Sequence, residues 1–230
     1  MIITLDGPAG AGKSTVAKRL AARLTEKRGH TFEYLDTGSM YRTVALLGIR
    51  SRIDWNFPVQ LERLAESAAV SIIDGRTLLN GEDITEAVRA PGITEKTRFA
   101  ADNPVIRQAM VEQQRRIAQT FLSENKGLVT EGRDQGTVVF PDAACKFFLT
   151  ATPEERTRRR LGELQQRGIA SEFDEIYRQI VERDSRDASR PVGPLSEPPD
   201  AHRIVSDGMT IDEVVERLAE IVCSSTGSTH

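Results

Sequence analysis

Gly7-Pro8-Ala9-Gly10-Ala11-Gly12-Lys13-Ser14-Thr15 is the stretch that decides the fold. It satisfies the spacing G-x-x-x-x-G-K-[ST], and it sits where that pattern must sit, after a strand and at the opening of a helix. Before it, Ile2-Ile3-Thr4-Leu5 is a short, β-branched apolar run of the kind that forms a buried parallel strand. After it, Val16, Leu20 and Leu24 recur at helical spacing within a stretch from about Ser14 to Lys27, and Gly29 marks the stop. Such glycines let the backbone wrap a polyphosphate with its N–H groups turned inward. The helix N-terminus adds positive potential, Lys13 reaches the β- and γ-phosphates, and Ser14 offers a hydroxyl to Mg2+. The segment is read as an ATP or GTP site.

Working outward, Phe32 to Leu35 reads as a second strand, and Leu128 to Thr130, Lys146 to Leu149 and His202 to Val205 as further ones. Between them lie helical stretches from Pro104 to Asn125, from Pro153 to about Gln166 with Gly168 as its break, and from Phe173 to Asp187. A last amphipathic helix carries Ile211, Val214, Val215 and Leu218. Strands alternating with helices specify a parallel, wound sheet. From about Val59 to Arg98 the pattern changes: Leu61, Leu64 and Ala68 suggest a helix, and two short apolar runs flank Asp74-Gly75, a β-hairpin signal. The expected organisation is a three-layer α/β core over 1–58 and 99–223. An insert over 59–98 holds a small hairpin subdomain, a short lid spans about 154–170, and 224–230 form a disordered tail.

The chain has 230 residues, a formal net charge of −3 and 5% aromatic residues, which argue against a counterion-releasing or base-stacking nucleic-acid binder. Cys145 and Cys223 lack any paired-ligand spacing, so neither a disulfide framework nor a zinc site is indicated. Met1 leads into the first strand without a basic leader, and no apolar run approaches the roughly 18 residues of a membrane span. A cytoplasmic protein is expected.

The guanine-reading Asn/Thr-Lys-x-Asp segment of a regulatory GTPase is missing, as is its Asp-x-x-Gly, so the switch class is set aside. Asp36-Thr37-Gly38-Ser39-Met40-Tyr41-Arg42 ends the second strand. With Thr37 as N-cap and Arg42 one turn inside, it either holds a second phosphate or is a capped helix with a surface arginine. Glu131-Gly132-Arg133-Asp134-Gln135-Gly136 follows a core strand, where ligands bind in parallel α/β sheets, so Arg133 and Asp134 are read as ligand-facing. Arg183, Asp187 and Arg190 lie in a charge run that, alone, also fits a solvated helix face, and the same holds for Arg156, Arg158, Arg159 and Arg160. His30, His202 and His230 fall in a loop, before a strand and in the tail, none placed as a base. A phosphate acceptor, with its second pKa near ~6, is already a nucleophile and needs positioning and charge neutralisation rather than a general base.

The combination GPAGAGKST, DTGSMYR, EGRDQGTVVFPDA and ERDSRDASRPVGPL closely resembles the bacterial cytidylate kinase family, over roughly Ile2 to Ile221. The resemblance implies a P-loop kinase in which ATP and CMP or dCMP give ADP and CDP or dCDP with Mg2+. It implies that Arg42, Arg133 and Arg190 clamp the acceptor phosphate beside Asp36 and Thr37, and that Arg183 and Asp187 hold the sugar. Asp134 and Arg107 would read cytosine, with Thr97 where the family has a base-contacting serine. Arg156, Arg159 and Arg160 would belong to a mobile lid that neutralises the transferring phosphoryl group. The insert over 59–98 resembles that family's monophosphate-binding insert. Ser39 and Gln135 depart from the small and the hydrophobic residue usual there. The rivals are a kinase for UMP or AMP and a regulatory protein that hydrolyses ATP slowly. A monomer acting on small molecules alone, without nucleic acid or membrane, is expected.

Overall fold

The computed structural model describes residues 1–225 apart from Asp74, Pro91 and Arg167. In chain order the core begins with β1 (Ile2–Asp6), α1 (Lys13–Arg28), β2 (Phe32–Asp36) and α2 (Thr37–Arg50). Next come α3 (Pro58–Ser67), the short strands β3 (Val70–Ile73), β4 (Arg76–Leu79) and β5 (Glu82–Asp83), then α4 (Ile93–Ala101) and α5 (Pro104–Ser123). The chain closes with β6 (Gly127–Gly132), β7 (Cys145–Thr150), α6 (Pro153–Gln166), α7 (Phe173–Ala188), β8 (His202–Val205) and α8 (Ile211–Ser225).

β2-β6-β1-β7-β8 form one sheet, all pairs parallel, as the apolar runs require. The alternation of side chains along each strand feeds two separate cores. Ile3 and Leu5 pack with Leu20 of α1 and Leu218 of α8 on one face. Leu35 and Leu128 pack with Val44 of α2 and Met110 of α5 on the other. Fully buried leucines such as Leu20 and Leu218 are each worth roughly 1.5–3 kcal/mol relative to exposure. Three layers result. From β1 the chain departs toward the β2 edge and returns later to build the β7–β8 edge, so the loops after β1 and β6 diverge. That leaves a crevice at the carboxyl ends of these strands, where open α/β sheets take ligands.

The 59–98 segment carries a three-stranded antiparallel sheet, β3-β4-β5, where the sequence pattern indicated a hairpin. Ile73 pairs with Arg76 across the turn, and Asp74 of the expected turn lies outside the described residues. The extra strand, Glu82–Asp83, pairs with Leu78 and Leu79; two polar residues give no apolar alternation to read. A second departure is the single π-helical turn over Gln135–Val139. A third is α8, which includes Ser224 and Ser225 of the expected tail; residues 226–230 lie outside the described residues. Finally, α2 is capped by Asp36, not Thr37: the Asp36 carboxylate accepts from Ser39 N at 2.9 Å. Among the described residues no helix is long and apolar enough to cross a membrane.

Candidate active site

The loop between β1 and α1 forms one wall of the crevice. Gly7 has φ +149°, and a Cβ there would stand 2.0 Å from Leu149 O, so only glycine lets the loop turn away this close to β7. Lys13, 5% exposed, donates to Pro8 O at 2.8 Å. Burial and then the charge of Arg133 push its ammonium down to about 7, against the pull of Glu131 and Asp6. Such a cation is poised to regain its charge beside a polyphosphate. Ser14 Oγ donates to Glu131 Oε1 at 2.8 Å. The Thr37 hydroxyl, free of the capping role, donates to Glu131 O at 2.7 Å.

The local sequence pattern singles out neither Glu131 nor Asp6. Both are buried carboxylates at the ends of neighbouring strands. Glu131 is raised by burial and by Asp36, its register partner on β2. Asp6 is pushed up to about 6, chiefly by burial. It accepts from Gln135 N at 2.9 Å and Gly136 N at 2.7 Å, which fixes the turn that follows β6. The available signal was positional: an acidic residue ending an otherwise apolar core strand.

The opposite wall is cationic and organised by acids. Asp187, 2% exposed, accepts from Arg133 Nε at 2.8 Å and Arg190 Nη2 at 2.5 Å, with Arg183 Nε at 4.0 Å. Burial pushes its carboxyl up, but Arg133, Arg190 and Arg183 outweigh that and hold it below the usual range. Arg190 also donates to Asp102 at 2.7 Å, and Arg42 pairs with Asp36 at 2.8 Å. Deeper in, Arg107 and Asp134 form a buried ion pair. Arg107 Nη1 donates to Ala101 O at 3.0 Å, and its guanidinium lies 5.4 Å from the Tyr41 ring centre.

These walls enclose a cleft of about 740 Å3. Gly10, Gly12, Lys13, Ser14 and Thr15 line it on the loop side, and Arg133, Arg183, Asp187 and Arg190 on the other. Thr37, Arg42, Thr97, Arg107 and Asp134 line it too, and of these Thr37, Arg107 and Asp134 are buried. Thr97 donates its hydroxyl to Ile93 O at 2.8 Å. Asp36 instead borders a second cavity of about 480 Å3 beside α1. Ala11 is packed in the core.

The α6 arginines divide. Arg160 pairs with Glu163 at 2.8 Å and reaches the cleft. Arg159 turns toward the end of β8, where Nη2 donates to Ser206 O at 2.6 Å. Arg156 is buried behind the loop, bonded to Ala9 O at 2.8 Å and Ala151 O at 3.0 Å.

A strand–glycine loop–helix unit with a buried lysine, facing arginines held in place by carboxylates, suits an anionic donor on one wall and an anionic acceptor on the other. That fold and that cleft define a P-loop phosphotransferase. The protein-family model for cytidylate kinase matches residues 3–224. The chain is 46% identical over 222 residues to a cytidylate kinase of Rhodopirellula baltica, covering 96% of this chain and 92% of that one. It is 42% identical to a cytidylate kinase of Caldanaerobacter subterraneus subsp. tengcongensis, covering 97% and 95%. A bifunctional pantoate ligase/cytidylate kinase of Prochlorococcus marinus is also 42% identical, but the match covers 43% of that longer protein. The chain belongs to the cytidylate kinase family.

Proposed function

We propose that this chain transfers the γ-phosphoryl group of ATP to CMP or dCMP, giving ADP and CDP or dCDP. The observation that carries the reading is the buried Arg107–Asp134 pair, which lines the same cleft as the phosphate loop. Cytosine offers an amino donor for a carboxylate and ring acceptors for a guanidinium, which this pair matches. Arg42, Arg133 and Arg190 hold the acceptor phosphate, Arg183 and Asp187 the sugar, and Thr97 supports the base. Asp36 acts from behind, through Arg42, and Thr37 lines the cleft while its hydroxyl is held by Glu131 O.

On the donor side, loop amides and Lys13 take the β- and γ-phosphates, and Arg160 neutralises charge as it builds on the transferring group. Mg2+ fits this donor set. Among the described residues no group of carboxylates and histidines forms a protein cage; a hydroxyl, Ser14, backed by the buried Glu131 and the half-buried Asp36, is what a phosphate-bound, largely hydrated Mg2+ uses. When bound, it shields the phosphate oxygens and orients them. The insert over 59–98 closes on the acceptor, the segment about 154–170 serves as the lid, and the protein works as a cytoplasmic monomer.

ADP release measured with AMP, CMP, dCMP, GMP and UMP tests the reading. Turnover dependent on CMP and dCMP supports it. Turnover that needs no acceptor, or that favours UMP or AMP, overturns it.

A further inference from the structure

We infer that Arg156 and Asp184 form a positioning pair that fixes the phosphate loop at Ala9 against helix α7. One residue of the loop is gripped on both sides. Ala9 N donates to Asp184 Oδ1 at 3.0 Å, across 175 positions of sequence. Ala9 O accepts from Arg156 Nη1 at 2.8 Å, and that same nitrogen donates to Asp184 Oδ2 at 2.5 Å. Arg156 Nε is occupied by Ala151 O at 3.0 Å. The two side chains and the Ala9 peptide groups thus close a small ring of hydrogen bonds. Arg156 is 4% exposed, so reaching a phosphate in the cleft would dismantle that ring.

The contact is steric as well as polar. Gly10 has φ +75°, and a Cβ there would lie 3.3 Å from Arg156 Cβ, so loop and α6 touch where only glycine fits without strain. Arg160, one turn further along α6, is by contrast 44% exposed and lines the cleft. The same helix therefore uses one arginine as an anchor and presents another to ligand.

The consequence lies in what else α7 carries. Asp184 sits on that helix between Arg183 and Asp187, the groups assigned to the acceptor. Leu164, Ile176 and Ile180 bind α6 and α7 into one unit. Through Ala9, the loop that takes the donor is tied to the helix that takes the acceptor, and the gap between the two substrates is set by this pair. Misplacement by ~1 Å can cost about a hundredfold in rate. Neither residue needs to touch substrate for this. The inference rests on reading the loop as the ATP site.

The test is a double-mutant cycle with Arg156→Ala, Asp184→Ala and both together, supported by the milder Arg156→Lys and Asp184→Asn. Each alanine variant should lose about a hundredfold in kcat/KM for ATP, with KM for CMP nearly unchanged. The double variant should be no worse than the poorer single one. Asp184→Asn, which keeps an oxygen for Ala9 N, should recover part of the loss. Affinity for ADP, titrated without CMP, should fall equally in both single variants. That titration needs no turnover, so it tests the pair even where the CMP assay overturns the functional reading. Multiplying losses would make Arg156 an independent ligand contact and overturn the pair. A lowered Tm with wild-type ATP kinetics and ADP affinity would overturn it too.

Discussion

The Ser14 hydroxyl donates to the Glu131 carboxylate at 2.8 Å, joining the first turn of α1 to the end of β6. Glu131 is buried and carries a raised pKa because burial and Asp36 both disfavour its charge. A divalent cation beside Ser14 would stabilise that charge, and Glu131 would in turn orient the hydroxyl. Groups that orient metal ligands typically matter about 10- to 100-fold. Glu131→Ala is therefore expected to raise the Mg2+ midpoint of kinase activity at saturating ATP and CMP by roughly that factor. It should also weaken the extra thermal protection that Mg2+ gives in the presence of ADP. An unchanged midpoint and unchanged protection would remove Glu131 from the metal environment.

Asp187 holds Arg133 and Arg190 at once, so its charge organises the acceptor wall. Asp187→Asn keeps the shape and removes the charge. Hydrogen bonds to charged groups contribute about 1.5–3 kcal/mol, so KM for CMP should rise by roughly ten- to a hundredfold while KM for ATP stays near wild type. The pH dependence has a definite sign. Arg133, Arg190 and Arg183 overcome burial and depress this carboxyl in the fold. Its stabilising effect is full above the ordinary carboxylate value of about 4 and is lost as pH falls through the lower folded-state value. The Tm gap between wild type and variant should be constant near neutrality and close in acid. A gap that widens in acid would contradict the linkage.

Much of this was legible in the sequence, and the reasons differ by element. The phosphate loop reads directly because a wrapped polyphosphate demands each residue at fixed spacing. The central strands β1, β6 and β7 read as apolar runs because both their faces are covered. Long-range partners did not read: Glu131 meets Ser14 across 117 positions and Asp6 meets Gln135 across 129, and no local pattern encodes either. Asp36 and Thr37 are both good N-caps; the choice is settled by Glu131 O, which takes the Thr37 hydroxyl. The α6 arginines look alike in sequence. Only the rotation of α6 against Asp184 and Ser206 separates Arg156 and Arg159 from Arg160.

Lys13 should couple nucleotide binding to proton uptake. Burial first, and Arg133 next, push it down to about 7, so a large share of the free protein carries it neutral at pH 8. A polyphosphate in the loop favours the charged form, so binding ADP at pH 8 draws a proton from solution. Apparent affinity should therefore fall as pH rises above about 7 and level off below it. Titration calorimetry in two buffers of different ionisation enthalpy reads the uptake. Lys13→Met should abolish it and should cost several kcal/mol of transition-state stabilisation with the fold intact. Equal apparent enthalpies in both buffers at pH 8 would mean that Lys13 is already charged in the free protein.

Base selection should rest on Asp134 and Arg107. Each neutralises the other in a site where Arg107 and Asp134 are both nearly inaccessible, and an unpaired charge there would be costly. Arg107 Nε is buried without a partner among the described residues, a donor left over for a ligand. The Asp134 carboxylate accepts from the N4 amino group of cytosine but would face the O4 lone pairs of uracil. Arg107 donates to the ring acceptors of cytosine, where uracil presents an N3–H. A mispaired buried polar group costs roughly 1–3 kcal/mol. CMP should therefore exceed UMP by at least about tenfold in kcat/KM, the low end of that cost. Asp134→Ala should shrink the ratio by losing CMP activity, not by gaining UMP activity, and KM for ATP should change little. The variant also strands the Arg107 charge, so Asp134→Asn is the cleaner companion: its amide retains an acceptor and should keep more of the CMP preference than alanine does. If both variants kept the full preference, base reading would belong to other groups lining the cleft, with Thr97 and Tyr41 the first to examine.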